Sequence, residues 1–77
     1  MSSTTRFITL VAVAECFQVE VRVVREYYEF GLLGRGRHEN DELAIATEQL
    51  QRVADILRLA RQGVNLEGIA LLLRAAD

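Results

Sequence analysis

Proline, lysine and tryptophan do not occur in the 77 residues, and cysteine and histidine occur once each. A single thiol, Cys16, excludes an internal disulfide, and one cysteine with one histidine, His38, does not make a metal site. The chain has no paired nucleophile and base, no metal cluster and no phosphate-cradling loop, so neither an enzyme nor a cofactor is expected. It has no repeat and no low-complexity segment. Without lysine, all nine basic residues are arginine, set against eleven acids for a net charge of -2. That balance is the reverse of what a domain bound through phosphate contacts needs. The longest early apolar stretch, Phe7 to Ala14 behind Arg6, mimics a short export signal. Glu15, however, stands where a small residue would have to precede Cys16, and the run is far too short to span a bilayer. It reads instead as a core helix of a cytoplasmic protein with no membrane contact.

What is present is apolar: 51% of the chain, with only five glycines, which fits one small globule rather than a disordered tail. A chain this short buries a modest share of its surface and is expected to be marginally stable alone. Residues 1–6 are expected to form a flexible N-terminus and residues 7–77 the domain. Thr9 is placed to cap a first helix over Leu10 to Cys16, with Leu10, Val13 and Ala14 on one face and Cys16 filling the core at its end. Phe17 and Gln18 form a tight turn and Val19 plugs inward. A second helix over Glu20 to Phe30 carries Val24, Tyr27 and Gly31 as a buried stripe, flanked by Arg22, Glu26 and Glu29, and Gly31 ends it.

Leu32 and Leu33 then anchor the chain before Gly34-Arg35-Gly36-Arg37, which is expected to be irregular. A short strand over Leu43 to Ala46 returns from a turn at Asn40-Asp41. Thr47 opens a third helix to Gln62, with Leu50, Val53, Leu57 and Ala60 as its stripe and Arg52, Asp55 and Arg58 facing water. Arg52, Arg58 and Arg61 read as a solvated basic edge. Gly63 stops that helix, and Asn65 caps a fourth, where Glu67 suits the positive end of the dipole and Ile69, Leu72 and Leu73 pack inward. Apolar residues near Leu71 to Ala76 either meet a twin or finish the core, which leaves the oligomeric state open. The plan is an all-α winged helix-turn-helix: four helices with a short wing hairpin.

Ile8-Thr9-Leu10, Val13-Ala14, Val24-Arg25, Tyr27 and Gly31-Leu32-Leu33 resemble the opening of a MerR-type reading domain. The stretch Gly63-Val64-Asn65-Leu66-Glu67-Gly68-Ile69-Ala70 is more specific. It resembles the Asn-Leu-x-Gly segment of the heat-shock repressor branch and of CbpM, a modulator of J-domain co-chaperones. The resemblance runs from Phe7 to Leu73. On the repressor branch it implies a dimer on a two-fold operator. On the CbpM branch it implies binding to the J-domain of a DnaJ/CbpA-type co-chaperone, which blocks its stimulation of DnaK.

MerR-type readers carry Arg-Tyr-Tyr on the second helix, whereas Arg25-Glu26-Tyr27 stands here, so a glutamate replaces a residue expected at the phosphates. Arg22, Arg25, Arg35 and Arg37 would form the DNA-contact strip in that alternative reading. The wing nonetheless continues into Glu39, Asp41 and Glu42, and Gly34 replaces the proline often found after Gly-Leu-Leu, which predicts a looser wing. The chain's end at Asp77 is expected to leave no segment for a dimerisation helix or an effector pocket. The CbpM branch implies an acidic face for the basic second helix of a J-domain, for which Glu26, Glu29, Glu39, Asp41 and Glu42 are the candidates. Tyr28 and Phe30 would be exposed aromatic anchors. Any single one of these acids reads more simply as a solvated surface charge, as does His38. A third, weaker reading is an assembly factor holding DnaJ and DnaK together in a ternary assembly.

Overall fold

A computed structural model describes residues 5–76, with side chains through residue 74. Most of the expected N-terminal tail, residues 1–4, lies outside the described residues. The elements run β1 (Phe7–Thr9), α1 (Leu10–Phe17), α2 (Val21–Glu29), β2 (Arg37–Glu39), β3 (Glu42–Ala46), α3 (Leu50–Arg61) and α4 (Leu66–Ala76). The all-α expectation is therefore overturned: four helices surround a three-stranded antiparallel sheet of order β1-β3-β2. Its register pairs Ile8 with Ile45 on one side of β3 and His38 with Leu43 on the other. The first strand escapes a sequence reading because three residues are too few to show the period of two.

Thr9 serves two elements. It closes β1 opposite Ala44, and its Oγ1 accepts a hydrogen bond from the Ala12 N–H at 3.1 Å, capping α1. Leu10, Val13 and Ala14 are buried as the spacing predicts, but Cys16 is exposed. At 100° per residue it lies roughly 110° from the centre of that stripe. Phe17 belongs to the helix, and the turn falls on Gln18, whose φ of 57° is left-handed. Val24 and Tyr27 are buried on α2, whereas Gly31 is exposed and only terminates the helix, at φ 87°.

Arg37, expected in an irregular run, begins β2. The hairpin turn is Asn40-Asp41, both with positive φ (53° and 66°), the combination a two-residue I′ loop demands. β3 departs from simple alternation: Ala44 and Ile45 are both fully buried, because it is the central strand. Thr47 does not open α3. Its N–H donates to the Arg6 carbonyl at 2.9 Å, extending the β1–β3 ladder, and a 3-10 turn over Thr47–Gln49 precedes the helix.

The buried stripe of α3 is Val53, Ile56 and Leu57, and Ala60, expected to be inside, is exposed. Arg58 is exposed and meets Asp55 at 3.5 Å, while Arg52 and Asp55, expected to face water, are half-buried. Asn65 caps α4 through Oδ1, which accepts from the Gly68 N–H at 2.8 Å. Ile69 is buried and Leu73 packs against the core, but Leu72 points outward.

Burial raises the pKa of the Tyr27 phenol; the Glu26 carboxylate adds to the rise and the Arg61 guanidinium opposes it. The folded state thus favours the neutral phenol. That contribution is fully present below about pH 10 and is lost as pH climbs through the raised folded value. Urea titrations across the alkaline range should show stability falling there, and Tyr27→Phe should flatten that limb.

Candidate partner-binding face

The site is built from α2 and the β2–β3 hairpin, joined through one aromatic side chain. Tyr28 packs half-buried against the core, and its hydroxyl accepts a hydrogen bond from the Gly36 N–H at 3.3 Å. It is therefore not the exposed anchor that its place beside Tyr27 suggests; it ties the wing to the helix. Gly34 takes φ 73°, and Gly36 lies so close to the neighbouring strand that a Cβ there would sit 2.6 Å from the Ala44 carbonyl oxygen.

The tip of the hairpin gathers three carboxylates. Glu39 and Glu42 are direct cross-strand partners, with Asp41 in the loop between them. Like charges facing across a ladder destabilise it. Arg37 relieves this, since its Nε donates to Glu39 Oε2 at 2.9 Å and its guanidinium lies 4.0 Å from the centroid of the Phe7 ring. On α2, Arg22 donates to Glu20 Oε1 at 2.6 Å. Two of the four arginines proposed to meet DNA are thus engaged by neighbouring acids, while Arg25 and Arg35 form no ion pair among the described residues.

Arg25 is the centre of the arrangement. On one side it borders a shallow cleft of about 340 Å³ shared with Val11, His38, Asp41, Glu42 and Leu43. On the other it borders a groove along α2 with Arg22, Glu26 and Glu29. The structure therefore brings Glu26 and Glu29 to one flank of Arg25, and Asp41 and Glu42 to the other. Phe30 is separated from this group: it is exposed on the far end of α2, against α4. Val11 was not legible as a site residue, although α1 periodicity puts it outside the Leu10-Val13-Ala14 stripe. It is 45% exposed and supplies an apolar contact beside the acids.

The arrangement offers a charged rim with an apolar floor. No helix among the described residues is long and apolar enough to cross a membrane. No curated protein and no solved structure matches the chain. A family model described as MerR HTH family regulatory protein matches residues 8–76, which takes in all four helices and the sheet but for Phe7. The chain belongs to the MerR helix-turn-helix family.

Proposed function

We propose that this MerR-family domain is a CbpM-type modulator: it binds the J-domain of a DnaJ/CbpA-type co-chaperone and masks the surface that DnaK uses. The observation that carries the reading is the ring of carboxylates around Arg25, from Glu26 and Glu29 on α2 to Asp41 and Glu42 on the hairpin. These acids occupy the two elements with which a helix-turn-helix reader approaches phosphates, where negative charge opposes binding. A J-domain presents a basic helix, so the same acids that repel a duplex attract it. The resemblance of Asn65-Leu66-Glu67-Gly68 to the CbpM segment supports the same branch. The mechanism is steric and electrostatic, without chemistry.

Glu42→Lys combined with Glu26→Lys is expected to weaken J-domain binding about tenfold, through slower association that depends on salt. Both side chains are exposed, and lysine opposite Glu39 removes a like-charge pair, so the hairpin should not lose stability. Calorimetric titration with an isolated J-domain checks this. Unchanged affinity in the double variant would show that the acids are only a solvated surface.

Family membership favours a second reading, a small DNA-binding regulator of the MerR or heat-shock repressor type. Arg25 and Arg35, exposed and outside any ion pair among the described residues, would be its phosphate contacts. Its mark is duplex binding that falls steeply with salt and disappears in Arg25→Ala.

A further inference from the structure

His38 is the only histidine of the chain and lies exposed on β2, opposite Leu43 in the ladder. Arg37 and Glu39, its neighbours on the strand, project to the other face and are tied to each other. The imidazole itself enters no hydrogen bond or ion pair among the described residues. It borders the cleft of about 340 Å³ that Arg25 shares with Asp41 and Glu42. The charges facing it are therefore Arg25 from α2 and Asp41 and Glu42 from the hairpin, while α1 contributes only Leu10 and Val11.

Charge in this cleft is close to balance. One guanidinium stands against two carboxylates, so the cleft is net negative while the imidazole is neutral. A proton on the imidazole brings it to zero. Imidazole is also the side-chain group that ordinarily gains or loses its charge between about pH 5 and 8. Given the J-domain reading of this face, on which this step rests, we propose that His38 makes partner binding pH-dependent: its proton cancels the attraction of the cleft for a basic helix, and loss of the proton restores it. Glu26 and Glu29 lie on the other flank of Arg25, so binding weakens without disappearing. A duplex would respond with the opposite sign, because the same proton favours phosphate.

One unit of charge added within a cleft of this size changes the affinity of a charged partner about fivefold. Between about pH 8 and about pH 5.5 the unmodified chain should therefore lose about fivefold in J-domain affinity, beyond any change that the partner's own groups cause. His38→Gln, which takes up no proton, and His38→Arg, which always carries the charge, should both lack that extra loss. Calorimetric titration with an isolated J-domain across the range measures all three chains, and thermal melts by circular dichroism establish that each is folded.

In the middle of the range, binding to the unmodified chain should also release a fraction of a proton. The binding enthalpy should then differ between phosphate and Tris buffers by more than it does for His38→Gln. The same pH dependence in all three chains, or an unmodified chain that gains affinity over the variants as pH falls, would overturn the proposal and leave the J-domain reading standing. Absence of J-domain binding at every pH would remove both.

Discussion

Replacing Ile56 by alanine is expected to remove most of the stability of the domain. Ile56 is fully buried in the middle of α3, in the cluster that also holds Leu10, Leu33, Ile45 and Ile69. These residues come from α1, the segment after α2, β3 and α4, so a void at Ile56 loosens every layer at once. Truncating a buried isoleucine costs about 2–5 kcal/mol in lost transfer energy and unfilled cavity. A domain this small starts near the low end of the roughly 5–15 kcal/mol that folded proteins have. The melting temperature should fall on the order of 15 °C, read by circular dichroism. Ala60→Glu is the contrast: Ala60 is exposed, so the change should shift the melt little. Equal losses in the two variants would mean that α3 presents a different face to the core.

Gly36→Ala is expected to be the most damaging change outside the core, for a steric reason alone, because the φ of Gly36 is not positive. The added methyl would stand 2.6 Å from the Ala44 carbonyl oxygen and 2.9 Å from Tyr28 Cε1. The oxygen belongs to the central strand and cannot turn aside, so the hairpin must move away from β3 or the Tyr28 ring must leave its packing. Crowding of this kind costs about 1–3 kcal/mol, and loss of the Tyr28 hydrogen bond adds about 1 kcal/mol. Since Tyr28 links the wing to α2, the carboxylates of the hairpin would also lose their position relative to Arg25. On the proposed function, J-domain affinity should therefore fall together with stability. Tyr28→Phe separates the two contributions, as it deletes only the hydrogen bond. Its melt should drop by a fraction of that of Gly36→Ala, with amide exchange accelerated at the hairpin first.

The helices were legible where capping and periodicity agree. Thr9, Asn65 and Gly63 mark termini that the structure keeps, and Leu10, Val13 and Ala14 form the stripe their spacing gives. Asn40-Asp41 was legible as a turn because few other pairs accept positive φ twice. What escaped depends on partners distant in sequence. β1 is recognisable only through β3, some 37 residues later, and the 3-10 turn that holds Thr47 follows directly on their ladder, which the Thr47 N–H extends by donating to the Arg6 carbonyl. The α3 stripe was displaced because Ala60 fits the spacing as well as Ile56 does, and only the neighbouring layers choose between them. For the site, the sequence supplied the acids and arginines but not their pairing. That Arg37 is held by Glu39 and Phe7, and that Tyr28 faces inward, follow from the sheet and the wing.

On the proposed function, acids on α2 and the hairpin turn a helix-turn-helix face from DNA toward a basic protein helix. The most direct test is amide chemical-shift mapping of the isotope-labelled chain, titrated at physiological salt with a J-domain and, separately, with duplex DNA. Shifts are expected on adding the J-domain at Val11, from Glu26 to Glu29 and from Glu39 to Glu42, with none on adding the duplex. Shifts with the duplex alone, centred on Arg22, Arg25 and Arg35, would contradict the proposed function and make this domain a DNA reader.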